Sequence, residues 1–170
     1  VKLFEFKNYK HKIINGVEIE RIEEINSENE VVILDDTEFQ VVLSGTSLIH
    51  RWKVEKHSKN LCSFEQIDDI KYICNSRYDV FVIDKNNVLH YVNGRMFRML
   101  KKNRKAFKEA QDGRKNVSKI YANFYDDDVK YVIVNTDGSI EANEIISQRE
   151  GYKSLVNAIG NKPVKYLYNV

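Results

Sequence analysis

The chain has 170 residues, of which 42% are hydrophobic and 31% charged, and its formal net charge is +2. This length and apolar fraction predict a single folded domain over residues 1–170 and exclude a disordered or collagen-like chain. The small net charge excludes a general attraction to nucleic acid or acidic lipid, so binding of that kind requires a local charged patch.

The cysteine content and the hydropathy pattern predict a soluble cytoplasmic protein. Cys62 and Cys74 form no CxxC pair, and one optional bridge is not a disulfide framework, so reduced thiols in an intracellular protein are the simpler interpretation. No apolar run reaches the length of a membrane span, and the N-terminal residues lack the apolar core of a signal peptide.

The first predicted elements are a strand at residues 1–6 (VKLFEF) and a β-hairpin that follows it. The hairpin is predicted because Asn15-Gly16, a pair that favours a two-residue turn, separates apolar-rich segments at 9–14 and 17–25.

Three later segments share one pattern, in which an apolar run, a polar turn and a second apolar run follow each other. They read VVILDDTEFQVVLSG from residue 31, VFVIDKNNVLHYVNG from residue 80 and YVIVNTDGSIEANE from residue 131. A pair of apolar residues precedes each of them at similar spacing, so we predict repeat units near 22–45, 70–94 and 117–144.

The chain's ends suggest how the units close. Residues 164–170 (VKYLYNV) resemble a strand without a return partner, and residues 1–6 are a strand without a partner of their own. The predicted fold is therefore mainly β: repeated antiparallel hairpins in a propeller-like closed ring, with the N- and C-terminal strands paired and one basic amphipathic helix inserted. The alternative is an α+β domain with an antiparallel sheet.

The hairpin-plus-lead pattern of residues 22–45, 70–94 and 117–144 resembles repeats of the regulator-of-chromosome-condensation type. The third turn carries the Asp-Gly pair of such hairpins, at Asp137 and Gly138. The resemblance implies a β-propeller fold and assigns no functional residue.

The inserted helix is predicted at residues 95–111, between Gly94 and Gly113. Residues 95–115 contain nine basic and two acidic side chains, a local net charge of +7. A helical projection places an apolar stripe (Met96, Met99, Leu100, Ala106, Phe107, Ala110) opposite a basic face (Arg98, Lys101, Lys102, Arg104, Lys105, Lys108). The basic face contacts phosphates, an acidic protein partner or a membrane surface, or it is the solvated outer face of a helix that covers the core.

A second basic and aromatic stretch contains Arg51, Trp52 and Lys53, in the corresponding interval of the preceding unit. In a ring, both basic stretches would project from one face, and Trp52 would stack on a base. The alternative is that Trp52 belongs to the core.

We find no motif that predicts catalysis, a cofactor or a metal site. The histidines lack HxH and HExxH spacing, and there is no GxSxG motif or phosphate-binding glycine loop. The sequence therefore predicts a non-catalytic binding module that recognises nucleic acid, a nucleic-acid-bound complex or an acidic protein surface. The alternatives are a protein-interaction scaffold, such as a small inhibitor or adaptor, and a metal-dependent nuclease that uses Asp126 to Asp128.

Overall fold

Antiparallel strands in three sheets form most of the regular structure, together with a few helices. The computed structural model describes residues 10–21, 25–26, 30–55, 57, 59–61, 63–94 and 100–167. Sheet I has the strand order β3-β4-β5-β6-β7, and the strands are β3 (Ile25–Asn26), β4 (Val31–Asp35), β5 (Phe39–Ser44), β6 (Ser47–Trp52) and β7 (Ser63–Ile67).

Two further sheets and the helices complete the fold. Sheet II has the order β1-β2-β8-β9-β10, with β1 (His11–Ile14), β2 (Val17–Glu20), β8 (Ile70–Asn75), β9 (Asp79–Asp84) and β10 (Leu89–Asn93). Sheet III has the order β11-β12-β13, with β11 (Val117–Ala122), β12 (Tyr131–Asn135) and β13 (Ile140–Ala142). The helices are α1 (Lys102–Gln111), α2 (Glu144–Ser147) and α3 (Glu150–Ile159).

Apolar clusters join these elements in layers. One cluster contains side chains of sheets I and II, such as Leu43 and Val82. A second joins sheets II and III with α1, through Phe81, Ile133 and Phe107. A third lies between sheet III and the two C-terminal helices. Sheet II is thus covered on both faces, which explains why β9 reads as a continuous apolar run rather than an alternating one.

The Asn-Gly hairpin predicted near the start of the chain is confirmed by β1 and β2. Asn15 and Gly16 both have positive φ, at 55° and 79°, which is the backbone that a two-residue turn between twisted strands requires. β2 also pairs with β8 in parallel, so the hairpin forms the edge of sheet II.

Two groups of three consecutive strands have the same construction. The first meander is β8-β9-β10 and the second meander is β11-β12-β13; in each, a register shift near the start of the first strand marks a β-bulge, at Ile70/Tyr72 and at Val117/Lys119. In each, a backbone N–H in the second turn also donates to the carbonyl before the first strand: Lys85 to Asp69, 2.8 Å, and Thr136 to Asn116, 2.9 Å.

Three backbone hydrogen bonds, which we call joints, link a turn of one strand group to the chain that follows that group. The amide N–H of Ile70 donates to Thr46 O, that of Val117 to Asn87 O and that of Val164 to Gly138 O, each at 2.9 Å. In each joint the acceptor lies in a turn between two strands, namely β5–β6, β9–β10 or β12–β13, and the three donors are spaced 47 residues apart.

The mainly β prediction is confirmed, whereas a closed ring is not found. Within the described residues the strands form three separate sheets, and an α+β description fits them as well as any propeller. Residues 164–167 are not in a strand, contrary to the prediction, while 1–9 and 168–170, which the predicted terminal pairing also requires, lie outside the described residues.

The inserted helix differs from its prediction in length and in its buried face. α1 begins at Lys102, Leu100 and Lys101 are not helical, and residues 95–99 lie outside the described part. The helix buries Arg104 and Phe107, while Ala106 and Ala110 of the predicted inward stripe are exposed. No helix in the described ranges has the length and apolar character needed to cross a membrane.

Candidate anion-binding cleft

The N-terminus of α1 is fixed by a residue in the connection between β11 and β12. The Asp127 carboxylate accepts hydrogen bonds from the backbone N–H groups of Asn103 (3.2 Å) and Arg104 (3.3 Å), and the Asn103 side-chain amide donates to Asp127 O at 3.0 Å. Because the first N–H groups of a helix lack partners within it, a carboxylate there stabilises the helix and favours its start at this point. Asp127 is therefore a helix-capping residue.

The first turn of α1 is also held by a buried ion pair. Arg104, only 6% exposed, donates from Nε to Asp79 Oδ1 and from Nη2 to Asp79 Oδ2, both at 3.1 Å. Asp79 is fully buried at the start of β9 and also accepts from Ser76 Oγ (3.1 Å) and Asn93 Nδ2 (2.8 Å). Every oxygen of this carboxylate is thus hydrogen-bonded, as a buried charge requires.

Tyr91 is the fourth residue that donates a hydrogen bond to the Asp79 carboxylate. Its hydroxyl donates to Asp79 Oδ1 at 2.5 Å. Burial, reinforced by the neighbouring Asp79 carboxylate, raises the pKa of the Tyr91 phenol well above its usual range, so the phenol stays neutral and remains a donor. The Tyr91 ring packs with Phe81, Phe107 and Phe124 at centroid distances between 5.2 and 6.0 Å. The network therefore rests on a rigid aromatic floor.

A cleft of about 230 Å³ opens above this network, at the end of the two meanders where their first turns lie. Its lining residues come from the β8–β9 turn, the end of β10, the start of α1 with the two residues before it, and the β11–β12 connection: Arg77, Tyr78, Asn93, Leu100, Lys101, Arg104, Phe124, Tyr125 and Asp126.

The rim of the cleft combines cations with an exposed aromatic ring. The Arg77 guanidinium carbon lies 5.0 Å from the centre of the Tyr78 ring, and Tyr125 is 65% exposed. Lys101 Nζ lies 2.6 Å from Asp126 Oδ1, so that one cation on the rim is paired with an acid. Exposed aromatic rings beside cations can stack on a flat ligand while the cations contact its charged groups.

The residues of the predicted basic helix have several different roles. Lys102 and Lys105 are exposed on α1, and Lys101 lies on the rim of the cleft. Arg104 was wrongly predicted to be on the outer face, because its charge is used by Asp79. Lys108 is half-buried; its Nζ donates to Tyr91 O at 3.1 Å and pairs with Asp112 at 3.3 Å. Arg98 lies outside the described residues.

In the second predicted stretch, Arg51 and Trp52 make contacts within the protein. Arg51 is half-buried and bonds to Glu30 and Gln40, each at 3.3 Å. Trp52 packs against the cluster between sheets I and II, as its alternative interpretation expected.

A chain of contacts nevertheless connects Trp52 to the lining of the cleft. Trp52 pairs with Phe39, the Phe39 ring lies against Gly94, and Gly94 N donates to Tyr78 O at 2.7 Å. Lys53 N donates to Glu38 O at 3.0 Å in the β4–β5 turn. This stretch is thus connected to Tyr78 of the cleft lining through Phe39 and Gly94.

The acidic run proposed for a nuclease has local structural partners. Asp126 pairs with Lys101, Asp127 caps α1, and Asp128 Oδ2 lies 2.7 Å from Lys130 Nζ. Sequence reasoning missed Arg77, Tyr78 and Tyr125, because each lies in a connection between strands and only the topology places them together.

Comparison with known proteins found no matching family model, no matching curated protein and no matching solved structure. The resemblance to regulator-of-chromosome-condensation type repeats therefore stays a prediction.

Proposed function

We propose that this protein is a non-catalytic binding module that takes nucleic acid, with a single-stranded segment in the cleft. The observation that carries the proposal is the exposed Tyr125 ring beside Arg77 and Tyr78, above a floor fixed by the Arg104–Asp79 pair. A base would stack on the Tyr125 ring, since every base offers a flat face and such stacking tolerates any sequence.

Phosphates would be contacted by exposed cations at and beside the cleft. Arg77 lines the cleft, and Lys102 and Lys105 are exposed on the first turns of α1, adjacent in sequence to the lining residues Lys101 and Arg104. Arg104 is not assigned to phosphate, because Asp79 balances its charge. Its role is to hold α1, and with it the two lysines, against sheet II.

A binding role without catalysis fits the acids near the cleft. Metal-dependent phosphodiester cleavage needs carboxylates free to hold a divalent ion. Asp127 instead accepts from the helix N-terminus, and Asp126 and Asp128 pair with lysines. We therefore favour a binding module over a metal-dependent nuclease.

The test is fluorescence anisotropy with labelled single-stranded and duplex oligonucleotides at two salt concentrations. Three phosphate contacts predict a loss of affinity of about 20-fold between 50 and 200 mM salt, since each contact releases counterions. We expect the single strand to bind more tightly, because only an unpaired base can stack on Tyr125.

Two sets of variants separate the charge and stacking contributions. Lys102→Glu with Lys105→Glu should abolish binding. Lys85→Glu with Lys162→Glu makes the same charge change at the opposite end of the meanders and should leave it nearly unchanged. Tyr125→Ala should weaken single-strand binding about 10-fold or more, while Tyr125→Phe retains it. Absence of binding at 50 mM salt, or equal losses for the two lysine pairs, would refute the proposal.

A further inference from the structure

A histidine and two glutamates converge on the edge hairpin of sheet II. Glu18 and Glu20 are two residues apart on β2, so their side chains share one face, and His11 on β1 is directly opposite Glu20. His11 Nε2 lies 3.2 Å from Glu18 Oε1 and 3.8 Å from Glu20 Oε1. One ligand atom from each residue lies within 4.8 Å of the other two.

These spacings match the edges of a metal-binding tetrahedron. Zinc binds imidazole nitrogen and carboxylate oxygen at about 2.0–2.2 Å, which places neighbouring ligand atoms about 3.4 Å apart in tetrahedral geometry. The two measured separations fall on either side of that value. One imidazole with two carboxylates is a donor set that suits Zn²⁺ better than Ca²⁺, which takes oxygen ligands at longer distances.

A lysine orients one of the carboxylates. Lys119 on β11 is buried, and its Nζ lies 2.5 Å from Glu18 Oε2, the oxygen that does not face His11. The same ammonium lies 4.9 Å from the centre of the Tyr72 ring. Lys119 can therefore hold one oxygen of Glu18 while the other is directed toward His11, the arrangement in which an outer partner positions a metal ligand.

The burial of the three side chains differs in a way that suits a site with access. Glu20 is only 4% exposed, whereas the His11 side chain is 44% exposed. An ion would reach the inner carboxylate from the side of the imidazole, and water could occupy a fourth position there.

We propose that His11, Glu18 and Glu20 bind one Zn²⁺ ion that fastens the edge hairpin of sheet II. β1 pairs with β2 alone among the described strands, so a metal that joins His11 to the two glutamates would strengthen the outermost strand contact of the sheet. The site is separate from the cleft and does not depend on nucleic-acid binding.

The test uses the full, untagged chain after treatment with EDTA, titrated with ZnCl₂ by calorimetry. We expect one ion per chain, and a rise in Tm of about 5 °C at saturating Zn²⁺. Calcium should not compete. Cobalt, used as a spectroscopic substitute for zinc, should give the intense visible absorption of a tetrahedral centre.

Variants assign the site. His11→Ala and Glu20→Gln should each weaken Zn²⁺ binding at least 10-fold, and His57→Ala, which removes an exposed histidine outside the cluster, should not. If Glu20→Gln fails to fold, His11→Ala decides, because its side chain is on the surface. Absence of zinc binding, or unchanged affinity in His11→Ala, would overturn the proposal. His11→Ala and Glu20→Gln should both leave oligonucleotide binding unchanged.

Discussion

The two meanders share a backbone plan but differ in one buried charge. Both have a bulged first strand, and both close the first turn with a backbone hydrogen bond: Ser76 N donates to Asp79 O, and Asn123 N donates to Lys130 O, each at 2.9 Å. Asp79 and Lys130 therefore occupy corresponding positions. Asp79 is fully buried and binds Arg104, whereas the Lys130 side chain is 25% exposed and pairs with Asp128.

The consequence of this difference is the helix. An uncompensated carboxylate in the interior is costly, so Asp79 requires a cation, and α1 supplies one. In the second meander the corresponding residue, Lys130, reaches the surface, so the first turn of that meander needs no buried ion pair. The buried acid at this position thus accounts for the ion pair between α1 and the first meander, whereas the second meander contacts the same helix through Asp127.

The largest effect is expected at the buried pair. Arg104→Met should lower the free energy of unfolding by about 3–5 kcal/mol, because it leaves Asp79 buried without its cation. Urea denaturation measures the change. Lys130→Met at the corresponding position of the second meander should cost no more than about 1 kcal/mol, since that pair is near the surface.

A matched substitution on the helix controls for loss of helix propensity. Lys105→Met, one residue from Arg104 but exposed, should change stability by less than about 0.5 kcal/mol. Equal costs for Arg104→Met and Lys130→Met would show that the buried pair does not distinguish the meanders.

An intermediate effect is expected in the second turns, where Asn87 and Gly138 occupy corresponding positions. Gly138 has φ +86°, and an added Cβ would lie 2.4 Å from Pro163 Cβ. Gly138→Ala should therefore cost about 2–3 kcal/mol, from backbone strain and the collision together.

The first meander offers the matched position. Asn87 adopts φ 61° with a side chain already present, so Asn87→Ala should cost about 1 kcal/mol in the same urea assay. Contact with Pro163 is not what limits position 138 if the two alanine variants prove equally stable.

The smallest effect is expected on stability in acid, at Asp84 of the first meander. The corresponding residue of the second meander is Asn135. Burial alone would raise the pKa of Asp84, but hydrogen bonds from His90 and from the backbone N–H groups of Val88 and Asn86 outweigh it, so the pKa is lowered. A carboxylate with a lowered pKa in the folded state stabilises the protein above its unfolded pKa, near 4, and that stability is lost as the pH falls through the folded pKa.

Asp84→Asn should accordingly cost about 1 kcal/mol at pH 7 and progressively less below about pH 4, measured by urea denaturation across the pH range. The control is Asn135→Ala, whose cost should not vary with pH over the same interval, because an asparagine side chain does not titrate. A pH-independent cost for Asp84→Asn would contradict the assignment.

Local patterns in the sequence predicted local structure well. The Asn-Gly turn, the strand pairs β9–β10 and β12–β13, and a helix after Gly94 all follow from residue type and spacing over a few positions. The mainly β character followed from the same patterns.

The parts that failed depend on contacts distant in sequence. A helical projection assigns every arginine to the outer face, and only the position of Asp79, 25 residues earlier, brings Arg104 inside. Similarly, the hairpin from Val31 was aligned with the one from Val80. The bulge near Val31 lies in β4, the first strand of that hairpin, whereas the bulge near Val80 lies in β8, the strand before its hairpin. A bulge does not change the pattern of apolar residues, so this pattern cannot reveal the difference.

The joints have a consequence for how far such a sequence can diverge. Each joint uses a backbone donor and a backbone acceptor, and the three acceptors are a threonine, an asparagine and a glycine. The link itself therefore needs no particular side chain, although proline cannot serve as the donor and positions 87 and 138 also require a positive φ. This part of the coupling is thus carried by backbone groups, and it can persist after resemblance between the side chains has faded.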